Sequence, residues 1–219
     1  MADVVELLPL FPLPNVVLFP EVELPLHVFE PRYREMVADS MAGDRRIGMV
    51  LLRGDWRRDY QGSPPVFPLG CAGRIERFEQ LADGRSNLLL SGRRRFEILE
   101  EVPGKSYRRA RVHWRDESEI GDRAAAGASV ERLRETIGPL VEGAPAALPD
   151  SWWEGMPDAL GMLVNRLGFA LDLDPVEKLS LLDCDDATSR CDRLVEMLQF
   201  LAAERRLGST GTRGEGPWH

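Results

Sequence analysis

The early part of the chain alternates in a way that no helix can. Val22, Leu24, Leu26 and Val28 are apolar, and Glu23, Pro25 and His27 stand between them. A period of two sends alternate side chains to opposite faces of a strand. Pro9, Pro12, Pro14, Pro20 and Pro25 bar helix interior from the whole stretch. Short strands broken by bends are therefore expected at 16–19 and 22–29. At Pro31 the period changes. Tyr33, Met36, Val37 and Met41 recur at helical spacing, Pro31 suits a first helical turn, and Gly43 suits a stop.

Strand-like runs resume at 47–52, 66–78, 87–90, 96–102 and 107–114. Ala82-Asp83-Gly84-Arg85 reads as a hairpin turn, because Asp-Gly tolerates the positive φ that such turns need. Gly70, Gly73 and Gly92 fall inside or beside strands and suggest bulges or corners. Several short strands with regular turns predict a small, closed or nearly closed β-barrel. From Asp122 the period is helical, with Ala126, Val130, Leu133, Ile137 and Leu140 on one stripe. Pro145, Pro149 and Pro157 make 143–157 a loop. Leu160, Leu163, Val164 and Leu167 mark a second helix, and Asp174-Pro175-Val176-Glu177 opens a third with a capping box. Leu194, Val195, Leu198 and Leu201 form the stripe of a last helix over about 186–207. The expected class is α+β: a twisted β-barrel with one short helix at 1–117, a helical bundle at 118–207 and a loose tail at 208–219.

Composition changes this picture little; charge changes it more. The chain is 43% hydrophobic and 29% charged, as in ordinary globular proteins. Residues 1–115 hold 18 Lys and Arg against 16 Asp and Glu, whereas 116–219 hold 10 against 20. An acidic second half disfavours nucleic acid, which is bound by clustered cations, and disfavours anionic membranes for the same reason. The opening Met-Ala-Asp-Val-Val-Glu is acidic, unlike a secretory signal, and no run of 18 apolar residues occurs. A cytoplasmic protein with no membrane partner is expected. Cys71, Cys184 and Cys191 are odd in number and match no zinc spacing, so they read as inert thiols.

One stretch is more specific than any periodicity. Leu8-Pro9-Leu10-Phe11-Pro12-Leu13-Pro14-Asn15-Val16-Val17-Leu18-Phe19-Pro20, followed by Leu24-Pro25-Leu26-His27-Val28-Phe29-Glu30-Pro31-Arg32-Tyr33, resembles the opening of Lon protease amino-terminal domains, and most of all the free-standing bacterial Lon-like proteins. Ile47-Gly48-Met49-Val50, Gly70-Cys71-Ala72-Gly73-Arg74-Ile75, Gly92-Arg93-Arg94-Arg95-Phe96 and Leu173-Asp174-Pro175-Val176-Glu177-Lys178 extend the resemblance over about 6–207. The resemblance implies a PUA-like barrel followed by helices, and a role in contacting unfolded or tagged polypeptides for an ATP-dependent protease. The ATPase and protease regions of full-length Lon have no counterpart in these residues, so a non-enzymatic module is expected.

The candidate chemical motifs each admit a plainer reading. Gly104-Lys105-Ser106 lacks the upstream glycine of a phosphate loop, since position 99 is Leu; a hairpin turn fits better. A Ser–Lys dyad would need a buried lysine of lowered pKa, and the only lysines are Lys105 in a turn and Lys178 beside a capping box. His27 or His113 could serve a hydrolase, but no nucleophile elbow accompanies either. No metal site, cofactor or catalytic residue is assigned. Arg93 with Arg95, and Arg109 with Arg111, share strand parity and could form a cationic patch for nucleic acid, the alternative function; nearby Glu97, Glu100 and Glu101 favour a solvated face. Trp152, Trp153 and Met156 sit in the expected inter-helix loop and, with Phe67, are the expected contacts for apolar polypeptide segments, in a groove near the junction of barrel and bundle.

Overall fold

The computed structural model describes residues 5–60, 62–141, 153, 156 and 158–210. They fall into two compact units, one of residues 5–117 with 165–184, the other of the described residues in 118–164 and 185–210.

The first unit is a six-stranded mixed sheet with helices. Its strands are β1 (Glu6–Leu13), β2 (Glu23–Val28), β3 (Arg46–Leu52), β4 (Val66–Gln80), β5 (Ser86–Glu101) and β6 (Arg108–Arg115). Helix α1 (Pro31–Ala42) starts on Pro31 and buries Tyr33, Met36 and Val37. The spatial order is β2-β5-β4-β3-β1-β6, and β5 pairs with β6 as well. The pairings β1–β3, β3–β4, β4–β5, β5–β6 and β6–β1 thus form a closed circuit. Within it lie Leu8, Leu10, Val50, Ala72, Phe96, Ala110, Val112 and Trp114, with the Phe96 and Trp114 rings edge to face at 6.3 Å.

Two expectations about strands are corrected. Residues 16–19 are irregular, with 17–19 buried, and the first strand is instead β1, with Pro9 and Pro12 inside it. The prolines are tolerated because β1 changes partner midway. Glu6 to Leu10 pair antiparallel with β6, and Leu10 to Leu13 pair parallel with β3. Each proline is therefore paired on one side only, as at a sheet edge, where proline is tolerated. The runs at 87–90 and 96–102 are one strand, β5, whose first half pairs with β2 and whose second half pairs with β6. The Asp83-Gly84 hairpin joins β4 to β5 with Gly84 at φ 80°.

Helix α4 (Pro175–Asp183) belongs to this first unit. Its capping box is formed: Asp174 Oδ1 accepts from Val176 N at 2.8 Å, and Glu177 Oε2 accepts from Asp174 N at 2.9 Å. The unit boundary falls inside α3 (Leu160–Ala170).

In the second unit α2 (Arg123–Val141) packs on α5 (Ala187–Thr210). Ala126, Val130, Leu133 and Ile137 are buried, as are Cys191, Leu194, Val195 and Leu198. Asp122 and Asp186 cap the two helices by accepting from Ala124 N and Ser189 N, both at 2.9 Å. Helix α5 continues to Thr210, beyond the expected start of the tail; 211–219 lie outside the described residues, as does most of the expected 143–157 loop. Burial pushes the Cys191 thiol up to about 12, and its Sγ lies 3.5 Å from the Ser129 carbonyl. Cys191 should thus stay unmodified when the native protein meets iodoacetamide near pH 8, and react once denatured. Native labelling of Cys191, read by peptide mass, would show that this helix pair opens readily.

Candidate functional site

Three of the four arginines of the expected cationic patch are occupied. Arg93 pairs with Glu76, and Arg111 pairs with Glu100. Arg95 is not on the surface at all; it is 1% exposed. It donates to the carbonyls of Leu182 (2.8 Å), Cys184 and Asp116 (3.1 Å), and so closes the carboxy-terminal end of α4. The patch expectation fails here because of a bulge. Ala72 opposes Arg94 and Gly73 opposes Gly92, which leaves Arg93 as an extra residue and reverses the strand's parity. Arg93 and Arg94 are exposed and Arg95 is buried.

Arg109 behaves differently. Its Nη2 donates to the Pro103 carbonyl at 2.7 Å, and no carboxylate among the described residues lies within ion-pair distance of it. Its Nε is buried without a hydrogen-bond partner. Arg109 lines a cavity of about 360 Å³ between the start of α1 and the β5–β6 turn, together with Arg32, Tyr33, Lys105, Tyr107 and Arg108. Gly104, at φ 107°, carries the turn that forms one wall. The other cations here are paired. Arg32 meets Glu30 at 3.1 Å, Arg108 forks onto Glu101, and Lys105 meets Asp39 at 2.8 Å. Lys105 and the Tyr107 hydroxyl, 2.7 Å away, hold the Asp39 carboxyl below the usual range. Burial pushes the Tyr33 phenol up to about 12, so it stays neutral.

The expected polypeptide contacts are divided between the units. Phe67 is half-buried on β4 in the first unit. Trp153 and Met156 are half-buried in the second, with the Arg134 guanidinium 5.5 Å from the Trp153 ring centre. Trp152 lies outside the described residues. Sequence reasoning missed the exposed apolar groups of the sheet's outer surface, Leu7 (49% exposed) and Leu99 (56% exposed). Leu99 is the extra residue of a second bulge, since Ile98 opposes Val112 and Glu100 opposes Arg111.

The titratable groups are arranged for structure. Lys178, its pKa lowered by burial, donates to the Phe169 carbonyl at 2.8 Å, while Ser180 donates to Glu177. Lys105 is raised by its bond to Asp39, the wrong direction for a general base, and its neighbour Ser106 donates to Glu35. His27 Nδ1 meets Asn87 Oδ1 at 2.7 Å across the β2–β5 pair. Among the described residues no group of three His, Cys, Asp or Glu could hold a metal ion, and no helix is long and apolar enough to cross a membrane.

With this architecture in view, a profile of the ATP-dependent protease La (LON) substrate-binding domain matches residues 7–199. The chain belongs to the Lon substrate-binding domain family. The Lon protease of Cytophaga hutchinsonii is 26% identical over 206 residues, covering 91% of this chain and 25% of that protein. The Lon protease of Roseiflexus castenholzii is 26% identical over 217 residues, covering 97% and 26%. The chain therefore spans about a quarter of the length of these Lon proteases, in the substrate-binding part. A Lon N-terminal domain protein from Xanthomonas campestris, 27% identical, superposes with a TM-score of 0.58 over 87% of this chain and 98% of that one. The N-terminal domain of Mycobacterium avium complex Lon protease, at 16% identity and a TM-score of 0.65, shares the fold.

Proposed function

We propose that this Lon-type domain is a non-catalytic recognition module for exposed apolar segments of unfolded polypeptide, acting in the cytoplasm in support of an ATP-dependent protease. The observation that carries this reading is the family match over 7–199. The closed strand circuit is read as a PUA-like barrel, and Phe67, Trp153 and Met156, with Trp152, as polypeptide contacts. Aromatic and methionine side chains are common anchors of polypeptide contacts. Apolar burial contributes about 25 cal/mol per Å² before ordering costs, so affinity should be modest and tolerant of sequence.

A fluorescent, permanently unfolded polypeptide should bind saturably, and raising salt should change its affinity little. Trp153→Ala should weaken it about tenfold if that side chain is an anchor. Nucleic-acid binding would instead fall roughly a thousandfold or more between 50 and 200 mM salt for six or more phosphate contacts. The occupied Arg93, Arg95 and Arg111 favour the polypeptide reading. Absence of saturable polypeptide binding would sink it.

A further inference from the structure

We propose that the cavity at the β5–β6 turn binds a carboxylate of the polypeptide, with Arg109 as the group that receives it; this rests on the polypeptide-recognition reading and names a chemical feature of the ligand. The argument is one of pairing. Arg32, Lys105 and Arg108 line the cavity, and each is already matched by carboxylates of this chain: Arg32 by Glu30, Lys105 by Asp39 at 2.8 Å and Glu35 at 3.5 Å, and Arg108 by Glu101. Asp39 is further committed, because the Tyr107 hydroxyl donates to it. Arg109 lines the same cavity and has no such partner among the described residues. Its position is fixed by the Pro103 carbonyl, and its Nη2 lies only 3.3 Å from where a Cβ on Gly104 would stand. The guanidinium is thus pre-placed, with its Nε buried and lacking a hydrogen-bond partner, while Asp39 acts on it only from beyond ion-pair distance.

Four carboxylates, Glu30, Glu35, Asp39 and Glu101, already stand among the four lining cations, so a monoanion suits the site better than a doubly charged phosphate. A planar guanidinium edge suits a carboxylate, because N–H donors then meet both oxygens in one plane. The volume, about 360 Å³, admits a residue-sized group beside the anion, and Val102, Pro103 and the Tyr33 ring offer it apolar wall. Two parts of a polypeptide carry this chemistry: the terminal α-carboxylate and the side chains of Asp and Glu.

The test uses the whole chain and small probes, so that it does not depend on binding of an unfolded protein. N-acetyl-leucine carries only the α-carboxylate, N-acetyl-aspartate α-amide carries only the side-chain carboxylate, and N-acetyl-leucinamide carries neither. Each is titrated while the backbone amide resonances of Gly104, Lys105 and Tyr107 are followed. At least one acid should shift them saturably and bind about tenfold tighter than the leucinamide, as expected for a hydrogen bond to a charged group. Which acid does so identifies the source. Arg109→Gln should erase the preference, and Arg109→Lys should keep part of it. If Arg109→Gln disturbs the turn, the wild-type comparison of acid with amide and the Arg109→Lys variant still decide. Equal shifts with acid and amide, or an acid preference that survives in Arg109→Gln, would overturn the proposal. Loss of unfolded-polypeptide binding with an intact acid preference would instead count against the wider reading alone.

Discussion

Gly92→Ala should destabilise the first unit by about 3 kcal/mol or more, although it adds a single methyl group. A Cβ on Gly92 would stand 2.0 Å from the Phe19 carbonyl oxygen. Backbone cannot yield there cheaply. Glu21 N donates to the Gly92 carbonyl at 2.9 Å, and Gly92 N donates to the Val22 carbonyl at 2.8 Å, so the two segments are clamped on either side of the clash. Phe19 itself is fully buried. Relieving the contact would mean moving Leu18 and Phe19 out of the core or breaking both hydrogen bonds. In thermal unfolding the loss corresponds to a fall in Tm of about 6–12 °C for a domain of this size. Gly127→Ala is the control, since a Cβ there meets nothing within 4 Å and the position lies inside α2. It should be neutral or stabilise by up to about 1 kcal/mol. An unchanged midpoint for Gly92→Ala would mean that residues 19–22 are not held against β5 as described.

Arg95→Met should cost about 3–5 kcal/mol while leaving the surface charge pattern as it is. The methionine can keep much of the aliphatic packing but leaves the carbonyls of Leu182, Cys184 and Asp116 without this donor, at the end of α4 where no further helical N–H is on hand. Arg95→Lys retains the charge but cannot reach three carbonyls with one planar fork, so it should recover only part of the loss. Hydrogen exchange adds a local readout: the amides of α4 should lose protection before those of β3. If Arg95→Met were as stable as the wild type, the guanidinium would not be what holds the helix end. The contrasting Arg93→Met should change stability by no more than about 1 kcal/mol, because Arg93 and its partner Glu76 are exposed to solvent.

Much of the organisation could be read from the residues alone. Helix α1, the start of α2, the capping box of α4 and the apolar stripe of α5 rest on local signals: a proline at the first turn, a capping carboxylate, and apolar positions three and four apart. Such signals act within a turn or two of helix, so no distant contact is needed to decide them. The Asp83-Gly84 hairpin is local in the same sense. The family was legible too, because the proline-spaced opening is long and specific, and the profile match over 7–199 agrees with it.

What the residues could not decide was set by partners far along the chain. Pro9 and Pro12 excluded a helix without marking a strand of their own, and β1 forms there because two different strands pair with its two halves. The parity of Arg93 and Arg95 suggested one face, and a bulge opposite Gly73 sent Arg95 inward to the end of a helix 87 residues away in sequence. Residues 165–184 looked like bundle, and they pack with the sheet. Arg109 resembled its neighbours in sequence, and only the folded chain shows that each of the cations beside it already has a carboxylate while Arg109 has none among the described residues. Local propensity and periodicity settle which residues form an element, since they act over a few residues. Which side chains lose water, and which charges are cancelled, depends on contacts that exist only after the chain has closed on itself.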